Sequence, residues 1–178
     1  MNNTGKNTIK LVSTAMMSVV IAICAWITVP FTVPFTMQIF GVFLALMLLG
    51  GKYGTMSILI YILLGLFGIP VFSGFSAGPG ALLGPTGGYI AGFLAMGFII
   101  WIINAVKKGD APIWAYLLAL SACYILGTLW FCYVMGTKGS DYSFTQALML
   151  CVVPYIIPDL LKLSLAKIVA LKLRKIMP

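Results

Sequence analysis

The sequence contains no histidine and no glutamate, and its three acidic residues are Asp110, Asp141 and Asp159. The missing histidine excludes histidine metal sites and a Ser-His-Asp triad, and the missing glutamate excludes a glutamate general base. Asp110 and Asp141 lie in polar connections, so no pair of carboxylates is expected. We therefore predict that the protein is not an enzyme, and we predict no metal site and no cofactor.

Sites for ATP and nucleic acids are also missing. No Gly-x-x-x-x-Gly-Lys-Ser/Thr loop occurs, so the chain cannot bind ATP as P-loop proteins do. The net charge is +8, but no polar segment combines a basic surface with aromatic or polar residues that could contact bases. We therefore expect no nucleic-acid partner. All four cysteines lie inside apolar runs, which indicates that they pack between helices.

Apolar residues dominate what is present. Hydrophobic residues make up 62% of the 178 residues, charged residues only 8%, and the mean hydropathy is +1.11. A soluble domain is about half apolar and about a quarter charged. The composition therefore predicts a single integral membrane domain over residues 1–178. No small-residue cleavage site precedes Pro30, so we interpret the first apolar run as a retained helix and not as a signal peptide.

The apolar runs predict an all-α protein with six transmembrane helices. The second and third runs are short, and Gly50-Gly51-Lys52 between them allows a tight turn. Such short helices fit inside a bundle or a thinned bilayer. The predicted helices cover residues 8–29, 38–49, 53–68, 89–106, 112–135 and 144–171.

The basic residues predict the orientation of these helices. With six spans, one side of the membrane carries nearly all of them, and the other side carries only Lys138. Basic residues mark the cytoplasmic side, so both termini are expected in the cytoplasm of a multi-pass cell-membrane protein. The residues on that side are Lys6, Lys10, Lys52, Lys107, Lys108, Lys167, Lys172, Arg174 and Lys175.

A glycine-rich stretch over residues 68–89 lies on the outer side, between the third and fourth helices. It reads GIPVFSGFSAGPGALLGPTGGY and carries no charge, although a solvated linker would be polar. Glycine lets the backbone approach a ligand closely, and Phe72, Phe75 and Tyr89 can supply an apolar wall. We predict an outer lid that closes over a ligand; the alternatives are a permanently packed plug or a loop that rests at the headgroups.

Two polar features interrupt the apolar helices. Asp159 and Lys162 are three residues apart on one face of the last helix, and Lys162 lies about 15 Å from Lys172 along that helix. Ionisable groups at such depth usually face an interior site, although the alternative of a pair that only locks helices together remains open.

In the first helix, the small residues Thr14, Ser18 and Ala22 form a stripe that suits either internal packing or a partner helix.

Three stretches together resemble the BioY family, the biotin-specific S components of energy-coupling factor (ECF) transporters. They are SGFSAGPGALLGPTGGYIAG, the Pro-Phe-Thr loop that ends in Met-Gln, and PDLLK in the last helix. The resemblance covers essentially the whole chain. It implies a six-helix protein that captures biotin from outside and works with a transmembrane T component and two cytoplasmic ATPases. The missing P-loop is consistent with energy that comes from another chain.

The resemblance also implies roles for particular residues. Asp159 can accept from a ureido N–H of biotin, while Lys162 can pair with a carboxylate or donate to the ureido carbonyl. S components are expected to present Ala-x-x-x-Ala to the T component, but Ala15 is followed by Val19 here, so the nearer match is Ser18-x-x-x-Ala22. The remaining predicted biotin contacts are Phe35, Thr36, Gln38, Phe75, Gly78 and Tyr89, and the predicted docking residues are Thr14, Ser18 and Ala22.

Two other functions remain open from the sequence. The chain could be an S component for another small vitamin, or a multi-pass packing or assembly protein without a ligand. In the second case the Asp159–Lys162 pair would be purely structural.

Overall fold

The computed structural model describes residues 3–29, 34–140 and 142–175, and of residues 3, 4 and 6 only the backbone. The predicted break at Pro30 and the connection at Asp141 lie outside this part. The described chain is helical apart from short connections and a two-stranded antiparallel ribbon that pairs Thr28 with Thr36. Its elements are α1 (Asn3–Trp26), β1 (Thr28–Val29), β2 (Phe35–Thr36), α2 (Gln38–Leu66), a 3-10 turn (Ser73–Phe75), α3 (Pro79–Leu82), α4 (Gly87–Lys107), α5 (Ile113–Thr137), α6 (Phe144–Cys151) and α7 (Val153–Arg174).

The chain reverses direction inside α2. Gly50 has φ 74° and ψ 174°, a conformation that glycine adopts without a steric penalty. Gln38 Nε2 donates to the Tyr61 hydroxyl at 2.5 Å, although 23 residues of straight helix would separate them by about 35 Å. The two halves of α2, residues 38–49 and 51–66, therefore form an antiparallel helical hairpin.

Several helices are long and apolar enough to cross a membrane. Within the described residues, four helices meet this criterion, and the bent pair α6–α7 makes a fifth if it is one span. The bend between α6 and α7 is 45°. This count takes α2 as one span, whereas the reversal at Gly50 divides it into two segments.

The α2 hairpin is the centre of the bundle. It packs against α1, α4 and α7, while α4 packs against α5 and the short α6 lies against both α5 and α7. Small residues allow close approach: Gly51 lies against the Trp101 backbone, Gly97 against Thr55, and Gly92 against Cys123. The largest fully buried side chains of this core include Tyr61, Phe43, Phe72, Ile21, Leu46, Ile58, Met96 and Ile100.

The small-residue stripe of α1 is part of this internal packing. Thr14, Ser18 and Ala22 are only 1%, 2% and 4% exposed, and Ser57 Oγ of α2 donates to the Thr14 carbonyl at 2.9 Å. The structure therefore favours internal packing over docking to a T component for these residues, because α2 occupies the surface that the small side chains create. Ala15 and Val19 lie on the exposed face of the same helix.

Most of the basic residues gather at one end of the bundle. Arg174 at the end of α7 pairs with Asp110 in the α4–α5 turn and also donates to the Met47 carbonyl beside the α2 reversal. Lys10 of α1 lies 5.3 Å from the ring centroid of Tyr53, so the start of α1 reaches the same end. Hydrogen bonding from the guanidinium group holds the pKa of Asp110 below its usual value. The ribbon and the glycine-rich loop lie at the opposite end.

The contact between α2 and α4 generates a test of stability. A Cβ on Gly51 would lie 2.2 Å from Trp101 Cα, so Gly51→Ala must push two helix backbones apart. We expect a loss of about 1–3 kcal/mol and a lower melting temperature in detergent. Gly80→Ala is the matched control, because a Cβ there meets nothing within 4 Å. Equal melting temperatures for the two variants would contradict this packing.

Candidate functional site

A cavity of about 370 Å³ lies between the outer loops and the helices α2, α4, α5 and α7. Small-molecule sites generally range from about 300 to 1,000 Å³, so this one suits a compact ligand. Its wall is mainly apolar and aromatic, with a few polar groups at separate points. The residues that line it are Pro34, Thr36, Gln38, Ile39, Phe72, Ser73, Ser76, Ala81, Gly84, Pro85, Thr86, Tyr89, Ile90, Phe93, Tyr124, Cys151, Tyr155, Asp159 and Lys162.

The inner end of the cavity holds a buried ion pair on α7. Lys162 Nζ lies 2.8 Å from Asp159 Oδ1, and the two residues are 5% and 3% exposed. The i, i+3 spacing brings both side chains to one helix face, as the sequence predicts. Because a buried charge is costly unless it is paired and hydrogen-bonded, the remaining partners of this pair matter.

Two other elements supply those partners. Lys162 Nζ donates to the Thr36 carbonyl of β2 at 2.7 Å, and the Tyr124 hydroxyl of α5 donates to Asp159 Oδ2 at 2.6 Å. The ammonium also lies 3.9 Å from the ring centroid of Phe35, close enough for a cation–π contact. The pair is thus electrically neutral, and among the described residues lone pairs on the carboxylate and one N–H of the ammonium have no partner, so they can serve a ligand.

Gln38 belongs to a second polar network beside the pair. The Thr36 hydroxyl donates to Gln38 Oε1 at 3.0 Å, and Gln38 Nε2 donates to the Tyr61 hydroxyl of the second half of α2. Gln38 is only 6% exposed, so its amide is held in a fixed orientation. This network joins the ribbon to the α2 hairpin and fixes the part of the cavity wall that Thr36 and Gln38 form.

Part of the glycine-rich loop is a packed wall. Phe72 is 1% exposed and meets the Tyr61 ring edge-on, with the ring centroids 5.5 Å apart. Gly65 makes room for it, since a Cβ there would lie 2.1 Å from the Phe72 ring. Trp130 Nε1 donates to the Gly84 carbonyl at 2.9 Å and ties the end of the loop to α5.

The predicted contacts divide into two groups. Thr36, Gln38, Tyr89, Asp159 and Lys162 all line the cavity, and Phe35 contacts Lys162 from outside it.

Phe75 and Gly78, by contrast, are not among the lining residues. Phe75 is 62% exposed and stacks on Trp26 of α1, with the ring centroids 5.2 Å apart. Gly78 has φ 82°, and its N–H donates to the Gly65 carbonyl at 2.7 Å. Both residues shape the loop and do not form the wall of the site.

The sequence reasoning missed several residues of the site. Tyr124, Tyr155 and Phe93 line the cavity, and Tyr124 is a hydrogen-bond partner of Asp159. Tyr124 had a signal: a tyrosine hydroxyl in the middle of an apolar span needs a partner, and Asp159 is an acceptor at membrane depth. Phe93 had none, because a phenylalanine in an apolar helix points equally well to core, lipid or ligand.

The family model described as the BioY family matches residues 1–178. The chain belongs to the BioY family. A biotin transporter BioY of Thermotoga maritima is 38% identical over 169 residues, which cover 94% of this chain and 96% of that protein. A probable biotin transporter BioY of Pyrococcus horikoshii is 42% identical over 142 residues, covering 80% and 81% of the two chains.

A solved structure has the same fold. The crystal structure at 2.1 Å of the S-component for biotin from an ECF-type ABC transporter matches with a TM-score of 0.84 and 27% identity. The match covers 98% of this chain and 95% of that one. With its apolar helices, this member of the BioY family is a multi-pass protein of the cell membrane and not an enzyme.

Proposed function

We propose that the chain is the biotin-binding S component of an ECF-type uptake transporter, which captures biotin at the outer face. Family membership supports the choice of ligand. The observation that carries the proposal is the neutral Asp159–Lys162 pair at the inner end of a cavity of about 370 Å³. A pure packing protein has no need for a cavity of this size, because unfilled space between helices forfeits dispersion contacts.

The pair is chemically complementary to a ureido group. A ureido group carries two N–H donors and one carbonyl acceptor, and the pair offers a carboxylate acceptor beside an ammonium donor. A carboxylate in the same place would meet Lys162 but would also face the charge of Asp159, 2.8 Å from the ammonium. The ureido ring therefore binds at the inner end, and the acid tail of biotin points towards the loops.

This arrangement generates a test of the two charged residues. Asp159→Asn and Lys162→Ala should each weaken biotin binding by about 2–4 kcal/mol, because each leaves a buried polar group without its partner. Equilibrium binding of labelled biotin to purified protein measures the change, and a melting curve establishes that each variant folds.

Asp110→Asn is the matched control for these variants. It removes the partner of Arg174 in the exposed ion pair at the opposite end of the bundle and should leave binding unchanged. Folded Asp159 and Lys162 variants that bind like the parent would place biotin elsewhere. If the parent protein binds another small vitamin but not biotin, that vitamin replaces biotin as the proposed ligand.

We further propose six membrane-embedded helical segments with both termini in the cytoplasm. The α2 hairpin supplies the second and third segments, and α6 with α7 supplies the sixth. The gathering of Lys10, Lys52 and Arg174 at one end supports this topology, since basic residues favour the cytoplasmic side. The shortness of the hairpin halves is compatible with their burial inside the bundle.

Cysteine labelling tests the topology. In a background without the four native cysteines, Lys107→Cys and Lys138→Cys should react with a membrane-impermeant thiol reagent from opposite sides of the membrane. Lys138→Cys should react in intact cells, and Lys107→Cys only after the membrane is opened. Labelling of both from one side would require an even number of crossings between them, not the single crossing of α5, and would overturn the six-segment topology.

The tip of the glycine-rich loop acts as the outer lid. Val71 and Phe72 are buried, whereas Ser76 is exposed and also lines the cavity, so the mobile part begins after the packed wall. Phe75 stacks on Trp26, and the lid must break this stacking contact when it opens. Closure over the ligand then shields the ureido contacts from water.

Hydrogen exchange tests the lid. Backbone amides of residues 73–81 should exchange quickly without biotin and slow markedly when biotin is added, while residues 136–140 at the end of α5 should not change. Exchange over 73–81 that is equally slow in both states would show a fixed wall.

Energy from ATP would come from other chains, because no P-loop occurs in this sequence. A transmembrane T component and two cytoplasmic ATPases are the proposed partners. The exposed face of α1 that contains Ala15 and Val19 is available to them, since α2 covers the opposite face.

A further inference from the structure

The outer end of the cavity carries no charged side chain. The sequence has no Asp, Glu, Lys or Arg between Lys10 and Lys52, or between Lys52 and Lys107, so the ribbon and the glycine-rich loop are both neutral. Among the described residues that line the cavity, Lys162 is the only basic one, and Asp159 already neutralises it. A carboxylate that points towards the loops therefore meets no cation among the described lining residues, since Lys138 of the α5–α6 turn does not line the cavity.

Burial along the cavity shows which end opens to water. Asp159, Lys162 and Phe93 at the inner end are 3–5% exposed, whereas Ser76 at the loop end is exposed and Ser73 is half-buried. The ligand tail thus lies at the mouth, among the hydroxyl groups of Ser73, Ser76 and Thr86, where water can solvate it.

We propose that the site recognises the ureido head and is nearly indifferent to the charge of the tail. Its ligands then include neutral tail derivatives of biotin, such as the primary carboxamide, as well as the acid itself. This inference rests on the proposed function, because it presumes that the ureido ring binds at the Asp159–Lys162 pair.

The size of the effect follows from what surrounds the tail. The nearest favourable feature for an anion is the N-terminus of α4, which begins after Thr86. A helix terminus typically favours a nearby anion by about two- to fivefold. Loss of a buried pair between a ligand carboxylate and a cation would instead reduce affinity by about thirtyfold or more.

Competition binding distinguishes a two- to fivefold effect of the tail charge from a loss of thirtyfold or more. Labelled biotin bound to the purified full-length chain is displaced with unlabelled biotin or with biotin carboxamide, which has nearly the same shape but no charge. We expect dissociation constants within about tenfold of each other. Biotin methylated on a ureido nitrogen tests the head, and it should compete far more weakly than the carboxamide, since it loses a donor and adds bulk at the pair.

A variant with a cation at the mouth is the matched control. Ser76 is exposed and lines the cavity, so Ser76→Lys can place an ammonium beside the tail. It should favour the acid over the carboxamide several-fold more than the parent does, and added salt should reduce this gain. Ser140→Lys in the turn after α5, whose position is exposed and does not line the cavity, should leave the ratio unchanged.

Each outcome is decisive. If biotin binds but the carboxamide binds more than about tenfold more weakly, the inference is overturned and the proposed function stands. If the methylated ureido compound competes as well as the carboxamide, the head is not the recognised end, and the inference is likewise overturned. If labelled biotin does not bind at all, both the proposed function and the inference fall.

Discussion

The buried ion pair between Asp159 and Lys162 is the constraint on which the site depends. Two ionised groups that are 3% and 5% exposed cannot rely on water, so the protein itself must complete their hydrogen bonds. The Thr36 carbonyl and the Tyr124 hydroxyl do so from β2 and α5. Ribbon, α5 and α7 must therefore keep their relative positions for the pair to be tolerated, and this requirement also fixes the walls around a ligand.

The α2 hairpin gives those elements a common base. Its reversal at Gly50 places Gln38 beside Tyr61, and the resulting hydrogen bonds reach the ribbon through Thr36. Glycines at helix contacts let α4 approach closely, while Phe72 fills the space left by Gly65. The cavity lies where Gln38, Tyr124, Asp159 and Lys162 bring polar groups to an otherwise mainly apolar wall.

Polar groups are distributed unevenly along the cavity. Directional hydrogen bonds lie at the inner end, where water is excluded, and the mouth is neutral and wetter. In the proposed function, selectivity comes from the head of the ligand, because a site built to pair with donors and acceptors rejects molecules that lack them. The proposed lid would then contribute shape and exclusion of water, and it need not contribute charge.

Composition and local pattern were enough to predict the membrane class, the polar pair on one helix face and the absence of charge from the ribbon and the glycine-rich loop, because these are properties of neighbouring residues. The resemblance to the BioY family came instead from three motifs compared with a known family. Only the tertiary structure decided that Thr14, Ser18 and Ala22 face α2, because a small-residue stripe looks the same towards a neighbouring helix and a partner protein. It also decided that Phe75 stacks on Trp26 outside the cavity and that Tyr124 contacts Asp159, since contacts between residues 35 or more positions apart depend on how helices pack and not on local pattern.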